Sequence, residues 1–245
     1  MNKMNSSLKN HHLGEVAFRL EAKKSESSPN ETDLYLYGDI GDGWWGETIT
    51  AKGVINALNE IETDVINVHI QSFGGEVFEG ITISNLFKQS EKTINAYIDG
   101  VAASSATIIA FGADKIIMPV NTQFMIHNPW TYVAGNADEL EKVVTRLRKS
   151  EDSFVATYME KFVGTEDELR ELLKAEEFLT AEEALAYGFA DEIIETAKEP
   201  IEPKDIKARL MNKYGQRKPE DQKNSKINDK ENKKSLLGNM ANVFN

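Results

Sequence analysis

The order of apolar and polar positions predicts a chain that alternates strands and helices. Short apolar runs beside turn residues predict strands at 33–38, 65–70 and 94–98. Apolar residues at helical spacing predict helices at 50–61 and 76–89. A tight turn is predicted at Asp99–Gly100, and small residues after it lead into a buried helix that ends at Gly112. This alternation is typical of an α/β fold with a largely parallel sheet and right-handed crossovers.

The segments on either side of this pattern extend it. Upstream, apolar residues alternate at 16–20, and the polar stretch 23–32 predicts a loop. Downstream, strands are predicted at 115–118 and 122–126, and helices at 137–162, 166–174 and 180–188. Glu151 interrupts the apolar stripe of the longest of these helices. We therefore expect that helix to project from the domain and to pack on a partner subunit.

The composition excludes several classes of function. The chain has no cysteine, which removes disulfides, thiolate zinc sites and cysteine nucleophiles and suits a reducing cytoplasm. The N-terminal residues lack the apolar core of a signal peptide, and the apolar run from Val101 to Ala113 is too short to span a bilayer. We expect a cytoplasmic protein that uses no membrane, no metal and no cofactor.

The charge is divided unevenly along the chain. The formal net charge is −12, to which residues 197–245 contribute +5 and the remainder −17. An acidic body repels the phosphate backbone, so binding of nucleic acid is not expected. Together with the polar composition of the ends, this predicts a loose N-terminus at 1–14, a globular domain at 15–196 and a basic, largely disordered tail at 197–245.

Ser104 stands at the predicted start of the buried helix that follows the strand at 94–98. A helix start exposes unpaired backbone N–H groups and the positive end of the helix dipole, which stabilise a negative oxygen. Ser104 therefore occupies a position that suits both a nucleophile and an oxyanion donor. The alternative is that Ser104 only caps the helix and that the alanines around it only permit close packing.

Three residues together predict acyl-transfer chemistry. Parallel strands end at one edge of a sheet, which allows Ser104 at a helix start, His127 at a strand end and Gly75 in a Gly-Gly turn to lie together there. Acyl transfer needs a hydroxyl, an imidazole that removes its proton, and backbone N–H groups aimed at the tetrahedral intermediate. Glycine suits the last role because it has no Cβ to block the substrate carbonyl.

Four motifs resemble those of the Clp protease proteolytic-subunit family (peptidase S14). They are, in chain order, Gln71–Gly75, Gly100–Ser105, Met125–Pro129 and Phe178–Ala184. The similarity extends over about 33–194 and looks closest to the branch of phage head-maturation, or prohead, proteases. The resemblance implies a ClpP/crotonase-like βαβ superhelix with a protruding long helix, and it identifies 15–196 as the protease domain.

The resemblance also implies the roles of individual residues. Ser104 is then the nucleophile and His127 the general base, and the backbone N–H groups of Gly75 and Ser105 form the oxyanion hole. The family has methionine where this chain has Ser105, but a backbone donor does not depend on the side chain. Phe73 replaces the family's proline before the double glycine, which changes the turn but leaves the donor glycine.

The third member of the triad is less well defined by the sequence. The family's aspartate falls on Glu176, and Asp191 is a weaker candidate. A glutamate can orient an imidazole, although its additional methylene changes the geometry. The alternative is that Glu176 is a solvated carboxylate in a loop.

The resemblance implies a serine endopeptidase that cleaves polypeptides through an acyl-enzyme inside a ring-shaped homo-oligomer stacked through the long helix. In a phage or prophage the substrate would be scaffold or capsid precursor inside the prohead, with capsid, scaffold or portal proteins as partners. In the housekeeping alternative, a separate AAA+ unfoldase feeds the ring, since the chain has no phosphate-binding loop of its own.

Two other classes of protein remain as alternatives. A crotonase-like acyl-CoA hydratase or isomerase shares the superfold and its paired backbone donors but needs no serine nucleophile. An assembly module that has lost its activity is the non-enzymatic alternative. The remaining histidines do not support a further site, because His69 lies inside a predicted strand and His11–His12 lie in the loose N-terminus.

Overall fold

A computed structural model of the chain describes residues 16–26, 28–41 and 46–194. The predicted loose N-terminus at 1–14 and the predicted tail at 197–245 lie outside these residues. Within the described ranges, no helix combines the length and the apolar character that crossing a membrane requires.

Strands and helices alternate along most of the described chain. The strands are β1 (Arg19–Lys24), β2 (Glu31–Tyr37), β3 (Val65–Ser72), β4 (Thr93–Ala103), β5 (Lys115–Pro119), β6 (Gln123–Met125), β7 (Phe178–Thr180) and β8 (Glu192–Ile194). The helices are α1 (Ala51–Glu60), α2 (Val77–Lys88), α3 (Ser105–Ala110), α4 (Ala137–Met159), α5 (Glu166–Ala175) and α6 (Ala181–Ala186). This order confirms the predicted βαβ alternation from β2 to β5.

The strands form one mixed sheet in the spatial order β1-β2-β3-β4-β5-β8. The first pair is antiparallel, and every later pair along this path is parallel. β6 pairs in parallel with the end of β4, and β7 pairs antiparallel with β6. The carboxyl ends of β3, β4 and β6 therefore meet at one edge, which is where sites form in parallel sheets.

Alternate residues of the central strands belong to the apolar core. The buried side chains of this core include Ile66, Val68 and Ile70 of β3, Ile94 and Ile98 of β4, Ile83 and Phe87 of α2, and Ile108 and Ile109 of α3. A slip of one residue would exchange the two faces of a strand, so burial of one face fixes the register. The register in turn fixes which residues follow each strand at the carboxyl edge.

The predicted tight turn at Asp99–Gly100 is wrong, because β4 continues through both residues to Ala103. Pairing with β5 covers the first part of β4, and β6 pairs with its last residues. The side chain of Asp99 is held on the sheet, where it accepts a hydrogen bond from the Tyr37 hydroxyl. Pairing between distant segments thus overrides the preference of Asp-Gly for a turn.

Other boundaries differ by a few residues from the predictions. The predicted loop at 23–32 is shorter, because β1 extends to Lys24 and β2 begins at Glu31. The two short strands β7 and β8 were not predicted, since three residues carry too little periodicity to be recognised. The long helix α4 is confirmed, with a capping box between Asn136 and Glu139 at its start.

Candidate active site

Ser104 occupies a strained turn between the end of β4 and the start of α3. Its backbone has φ 56° and ψ −129°, a conformation that residues other than glycine rarely adopt. The Ser104 N–H donates a hydrogen bond to the Met125 carbonyl oxygen at 2.9 Å, which ties this turn to the end of β6. Its hydroxyl makes no helix-capping hydrogen bond, so the alternative that Ser104 only caps α3 is wrong.

The structure brings Ser104 and His127 together. Ala103 and Met125 are paired at the ends of β4 and β6, so the residues that follow them emerge side by side. His127 Nε2 lies 2.7 Å from Ser104 Oγ, which is hydrogen-bonding distance. The parallel pairing of two short strand ends thus creates the contact between a hydroxyl and an imidazole.

His127 is largely buried, with 8% of its surface exposed. Burial lowers the pKa of His127, because the charged imidazolium loses solvation, and the negative charge of Glu176 raises it by a smaller amount. The neutral imidazole, which can accept a proton, is therefore favoured at neutral pH.

Glu176 ends α5 in a left-handed conformation with φ 52° and ψ 31°. Ser104 and Glu176 are the two non-glycine residues of the described chain with a positive φ. Glu176 is close enough to influence the pKa of His127, yet within the described ranges no hydrogen bond joins their side chains. The structure therefore places the predicted third residue within electrostatic range of the imidazole, without the hydrogen bond that would orient the ring.

Asp191, the weaker candidate for the third residue, serves another purpose. Its carboxylate accepts a hydrogen bond from the Ile116 N–H at 2.7 Å and lies 3.2 Å from Lys161 Nζ. These contacts fix the segment before β8 against the start of β5. The carboxylate is thus engaged by structural partners.

The Gly74–Gly75 turn lies directly against the Ser104 turn. A Cβ on Gly74 would lie 2.7 Å from both the Ala103 carbonyl oxygen and Ser104 Cβ, and a Cβ on Gly75 would overlap the Ile40 carbonyl oxygen. The close backbone of Ile40 therefore explains the glycine at position 75, rather than the approach of a substrate carbonyl. The segment around Ile40 was not recognised from the sequence, because no motif marks a backbone contact.

Neither predicted oxyanion donor has an acceptor among the residues that the structure describes. Within the described ranges, the N–H groups of Gly75 and Ser105 donate no hydrogen bond. The pairing of this turn with Ile40 uses the Gly74 carbonyl and the Glu76 N–H and leaves the Gly75 N–H aside. Two backbone donors beside a serine hydroxyl are the arrangement that stabilises a tetrahedral oxyanion.

His69 lies away from this site, on the face of the sheet. Its ring stacks between Tyr35 and Tyr97, with centroid distances of 4.8 and 5.2 Å, and its Nδ1 lies 2.9 Å from the Asp99 carboxylate. His69 therefore lies inside a strand, as predicted, and it is a packed residue rather than part of the candidate site.

An α/β fold that places a strained serine beside a histidine and two backbone donors has the composition of a serine-type endopeptidase site. Comparison with known proteins gives the family. The family model for Clp protease matches residues 30–197, so the chain belongs to the Clp protease family. That match covers the strands β2 to β8 and the helices α1 to α6.

Relatives and solved structures agree with this assignment. The chain is 28% identical over 168 residues to the ATP-dependent Clp protease proteolytic subunit of Streptococcus gordonii, covering 66% of this chain and 83% of that protein. It is 27% identical over 137 residues to the subunit of the same name from Deinococcus radiodurans, covering 55% of this chain and 67% of that protein. A mutant of ClpP1 from Listeria monocytogenes superposes with a TM-score of 0.51 at 26% identity, covering 60% of this chain and 82% of the other.

The fold is thus the ClpP-like α/β fold, and the protein is a serine-type endopeptidase of the Clp proteolytic-subunit type. The crotonase-like alternative is set aside by the family match, which includes all the motifs on which the resemblance was based.

Proposed function

We propose that Ser104 is the nucleophile of this endopeptidase and His127 its general base. The distance of 2.7 Å between Ser104 Oγ and His127 Nε2 is the observation that carries the proposal. The backbone N–H groups of Gly75 and Ser105 form the oxyanion hole. Burial of His127 favours the neutral imidazole that a general base requires.

Acylation begins when Ser104 Oγ attacks the carbonyl carbon of the scissile peptide bond and His127 Nε2 takes the hydroxyl proton. The carbonyl oxygen becomes an oxyanion that accepts hydrogen bonds from the Gly75 and Ser105 N–H groups. His127 then gives its proton to the leaving amine, the C–N bond breaks, and the acyl group remains on Ser104.

Deacylation repeats these steps with water. His127 takes a proton from the water as it attacks the ester carbonyl, and the same N–H groups receive the oxyanion. The proton returns to Ser104 Oγ as the ester bond breaks, which releases the carboxylic acid product. Glu176 stabilises the imidazolium formed in each half-reaction through its negative charge.

Replacement of Ser104 tests the proposed chemistry. The Ser104→Ala variant should lose hydrolysis of a fluorogenic peptide by at least about 10³-fold and should not react with a fluorophosphonate. Ser90→Ala, which removes a hydroxyl from a surface turn after α2, is the matched control and should keep both activities. Peptide turnover that survives in Ser104→Ala at the wild-type rate would overturn the assignment.

We further propose that the subunits form a ring-shaped homo-oligomer and that α4 and the segment before it stack one ring on another. The buried residues of α4 are Phe154, Val155 and Tyr158, and all of them lie in its final third, so the rest of the helix buries no side chain completely. A patch on this helix and the preceding segment exposes large apolar side chains: Trp130, Tyr132, Val133, Leu140 and Val144. Such a patch on a projecting helix is suited to a contact between copies of the chain.

The proposed setting is a phage or prophage, in which the protease domain at 15–196 cleaves scaffold or capsid precursor inside the prohead. The support is the opposite charge of the tail at 197–245, which carries +5 against −17 in the rest of the chain. A basic tail on an acidic protease suits attachment to an acidic capsid or scaffold partner. The relatives named as subunits of ATP-dependent proteases favour the housekeeping alternative, in which a AAA+ unfoldase delivers the substrate.

Two measurements separate these settings. Removal of residues 198–245 should abolish co-assembly with scaffold or capsid protein and spare peptide hydrolysis, and unchanged co-assembly would contradict the role of the tail. Degradation of a folded substrate that requires both ATP and an unfoldase would instead support the housekeeping setting. The Ser104→Ala variant is the control for adventitious protease in both assays.

A further inference from the structure

A buried chain of hydrogen bonds runs from the end of α4 to the backbone of Ser104. The Tyr158 hydroxyl lies 2.7 Å from Thr107 Oγ1, in the first turn of helix α3. Thr107 Oγ1 donates to the Ser104 carbonyl oxygen at 2.6 Å, and the Thr107 N–H reaches the same oxygen at 3.0 Å. Both side chains belong to residues with no exposed surface.

The protons in this series of hydrogen bonds have one consistent arrangement. The threonine hydroxyl has a single proton, and it is donated to the Ser104 carbonyl. Tyr158 must then be the donor to Thr107 Oγ1. Burial raises the pKa of Tyr158, so its hydroxyl keeps the proton that this role needs. Hydrogen bonds are therefore donated in one direction, from Tyr158 to Thr107 and from Thr107 to Ser104.

The last acceptor in this series of hydrogen bonds, the Ser104 carbonyl, belongs to the same peptide group as a proposed oxyanion donor. The Ser104 carbonyl and the Ser105 N–H are the two ends of one planar amide. Hydrogen bonds accepted by the carbonyl polarise the amide and strengthen its N–H as a donor. They also fix the plane of the amide, next to a residue whose backbone is held at a φ of 56°.

We propose that Thr107 is a positioning residue for the oxyanion hole and that Tyr158 supports it through their hydrogen bond. The pair holds and polarises the Ser104–Ser105 peptide, so that its N–H is directed at the tetrahedral intermediate. This inference rests on the proposed catalytic roles of Ser104 and Ser105. Neither Thr107 nor Tyr158 lies in a motif, and the sequence predicts Tyr158 only as one apolar position of a long helix.

The expected size of the effect follows from the factor that one oxyanion donor contributes to kcat. An oxyanion donor contributes roughly 10²–10³ in kcat, and cooperative strengthening adds about 10–30% per bond. Loss of the Thr107 hydroxyl should therefore lower kcat about two- to eightfold. KM for the peptide should not change, because the uncharged ground-state carbonyl gains little from the stronger donor.

Four variants of the full chain test the proposal: Thr107→Val, Tyr158→Phe, the double variant of both, and Thr107→Ser. Thr107→Val keeps the shape of the side chain but leaves the buried Tyr158 hydroxyl without its partner, so it should lower both kcat and the unfolding midpoint. The double variant removes both hydroxyls and should recover the midpoint while kcat stays low. Thr107→Ser keeps the hydroxyl and should keep kcat.

Affinity for a peptide boronate, which forms a tetrahedral adduct with the serine hydroxyl, gives a second measurement. It should fall with kcat in Thr107→Val and in the double variant, and a substrate-like peptide that is not cleaved should bind as before. Recovery of wild-type kcat and boronate affinity together with stability in the double variant would assign the pair a structural role only. A loss that appears in KM alone would also overturn the proposal.

The outcome is separable from that of the proposed function. If Ser104→Ala remains active, the catalytic assignment fails and this inference fails with it. If Ser104→Ala is inactive while Thr107→Val and the double variant keep wild-type kcat, only the role of the buried pair is refuted. If Thr107→Val does not fold, the double variant preserves the test, because it leaves no buried hydroxyl without a partner and should still have a low kcat.

Discussion

At the scale of single residues, backbone strain and chemistry coincide. A left-handed or similarly strained residue costs about 1–3 kcal/mol and persists only where its surroundings determine it. Ser104 is held by the hydrogen bond from its N–H to Met125 and by those that its carbonyl accepts from Thr107. Glu176 is held in its left-handed conformation where α5 ends and the chain turns toward β7. Ser104 contacts the His127 ring, and the charge of Glu176 acts on the pKa of that ring.

The charge of Glu176 should be visible in the pH dependence of hydrolysis. The general base must be neutral, so kcat/KM falls as pH drops below the pKa of His127, which burial already lowers. Glu176 raises this pKa, so Glu176→Gln should move the acidic limb of the pH profile to lower pH. The variant should also lower kcat about tenfold, because the imidazolium loses a stabilising charge.

Glu177→Gln is the matched control for this prediction, since it removes a neighbouring carboxylate that does not contribute to the pKa of His127. Its acidic limb should coincide with that of the wild type. An acidic limb of Glu176→Gln that moves to higher pH, or does not move, would contradict the electrostatic role of Glu176.

At the scale of elements, two helices that differ greatly in burial carry the argument. Every residue of α3 is buried, whereas α4 buries only Phe154, Val155 and Tyr158 and is otherwise half-buried or exposed. The stability of the first part of α4 therefore depends on its capping box and on contacts that its exposed face makes outside the domain. Its last turn is anchored in the core beside Phe111 and Phe189 through the Tyr158 ring.

Loss of the cap should affect the start of α4 more than the whole domain. Asn136→Ala removes the hydrogen bond to the Glu139 N–H and should cost about 1 kcal/mol of local helix stability. Hydrogen exchange should therefore accelerate in the first turns of α4, with little change in the midpoint of global unfolding. Asn136→Ser restores a capping side chain and should restore slow exchange. Acceleration throughout the sheet would contradict a local effect.

At the scale of the whole molecule, α4 and the segment before it present a patch of exposed apolar side chains to solvent. The patch exposes 64% of Trp130, 74% of Tyr132 and 56% of Val144. Side chains of this size gain about 25 cal/mol for each Å² of apolar surface removed from water. Burial in an oligomer would therefore supply the packing that the isolated domain lacks.

A charge within the patch should weaken assembly without unfolding the subunit. Val144→Lys replaces an exposed residue, so the free energy of unfolding should change by no more than about 0.5 kcal/mol. Sedimentation velocity should then detect smaller species at concentrations where the wild type is assembled. Thr145→Lys adds the same charge at the neighbouring exposed position and should leave assembly intact. Identical sedimentation of Val144→Lys and the wild type would remove α4 from the proposed interface.

Periodicity and local capping signals were sufficient to predict most elements of this fold. The strands β2, β3, β5 and β6 and all the helices after α3 were predicted within a few residues, because burial of one face imposes a repeat that is visible in the sequence. The failure at Asp99–Gly100 has the opposite cause. Asp-Gly does have a local preference for a turn. The segment is nevertheless extended because it pairs with β6, which begins more than twenty residues later.

The sequence by itself determined the order of most elements, the residue types of the candidate site and the family, because each depends on spacing along the chain. The tertiary structure decided which of these residues meet. The pairing of β4 with β6 brings Ser104 to His127, the backbone of Ile40 dictates the glycine at position 75, and Tyr158 reaches Thr107 from a helix fifty-one residues away. Contacts between segments so distant leave no periodic trace in the sequence, since they arise only when the core has fixed the register of the strands.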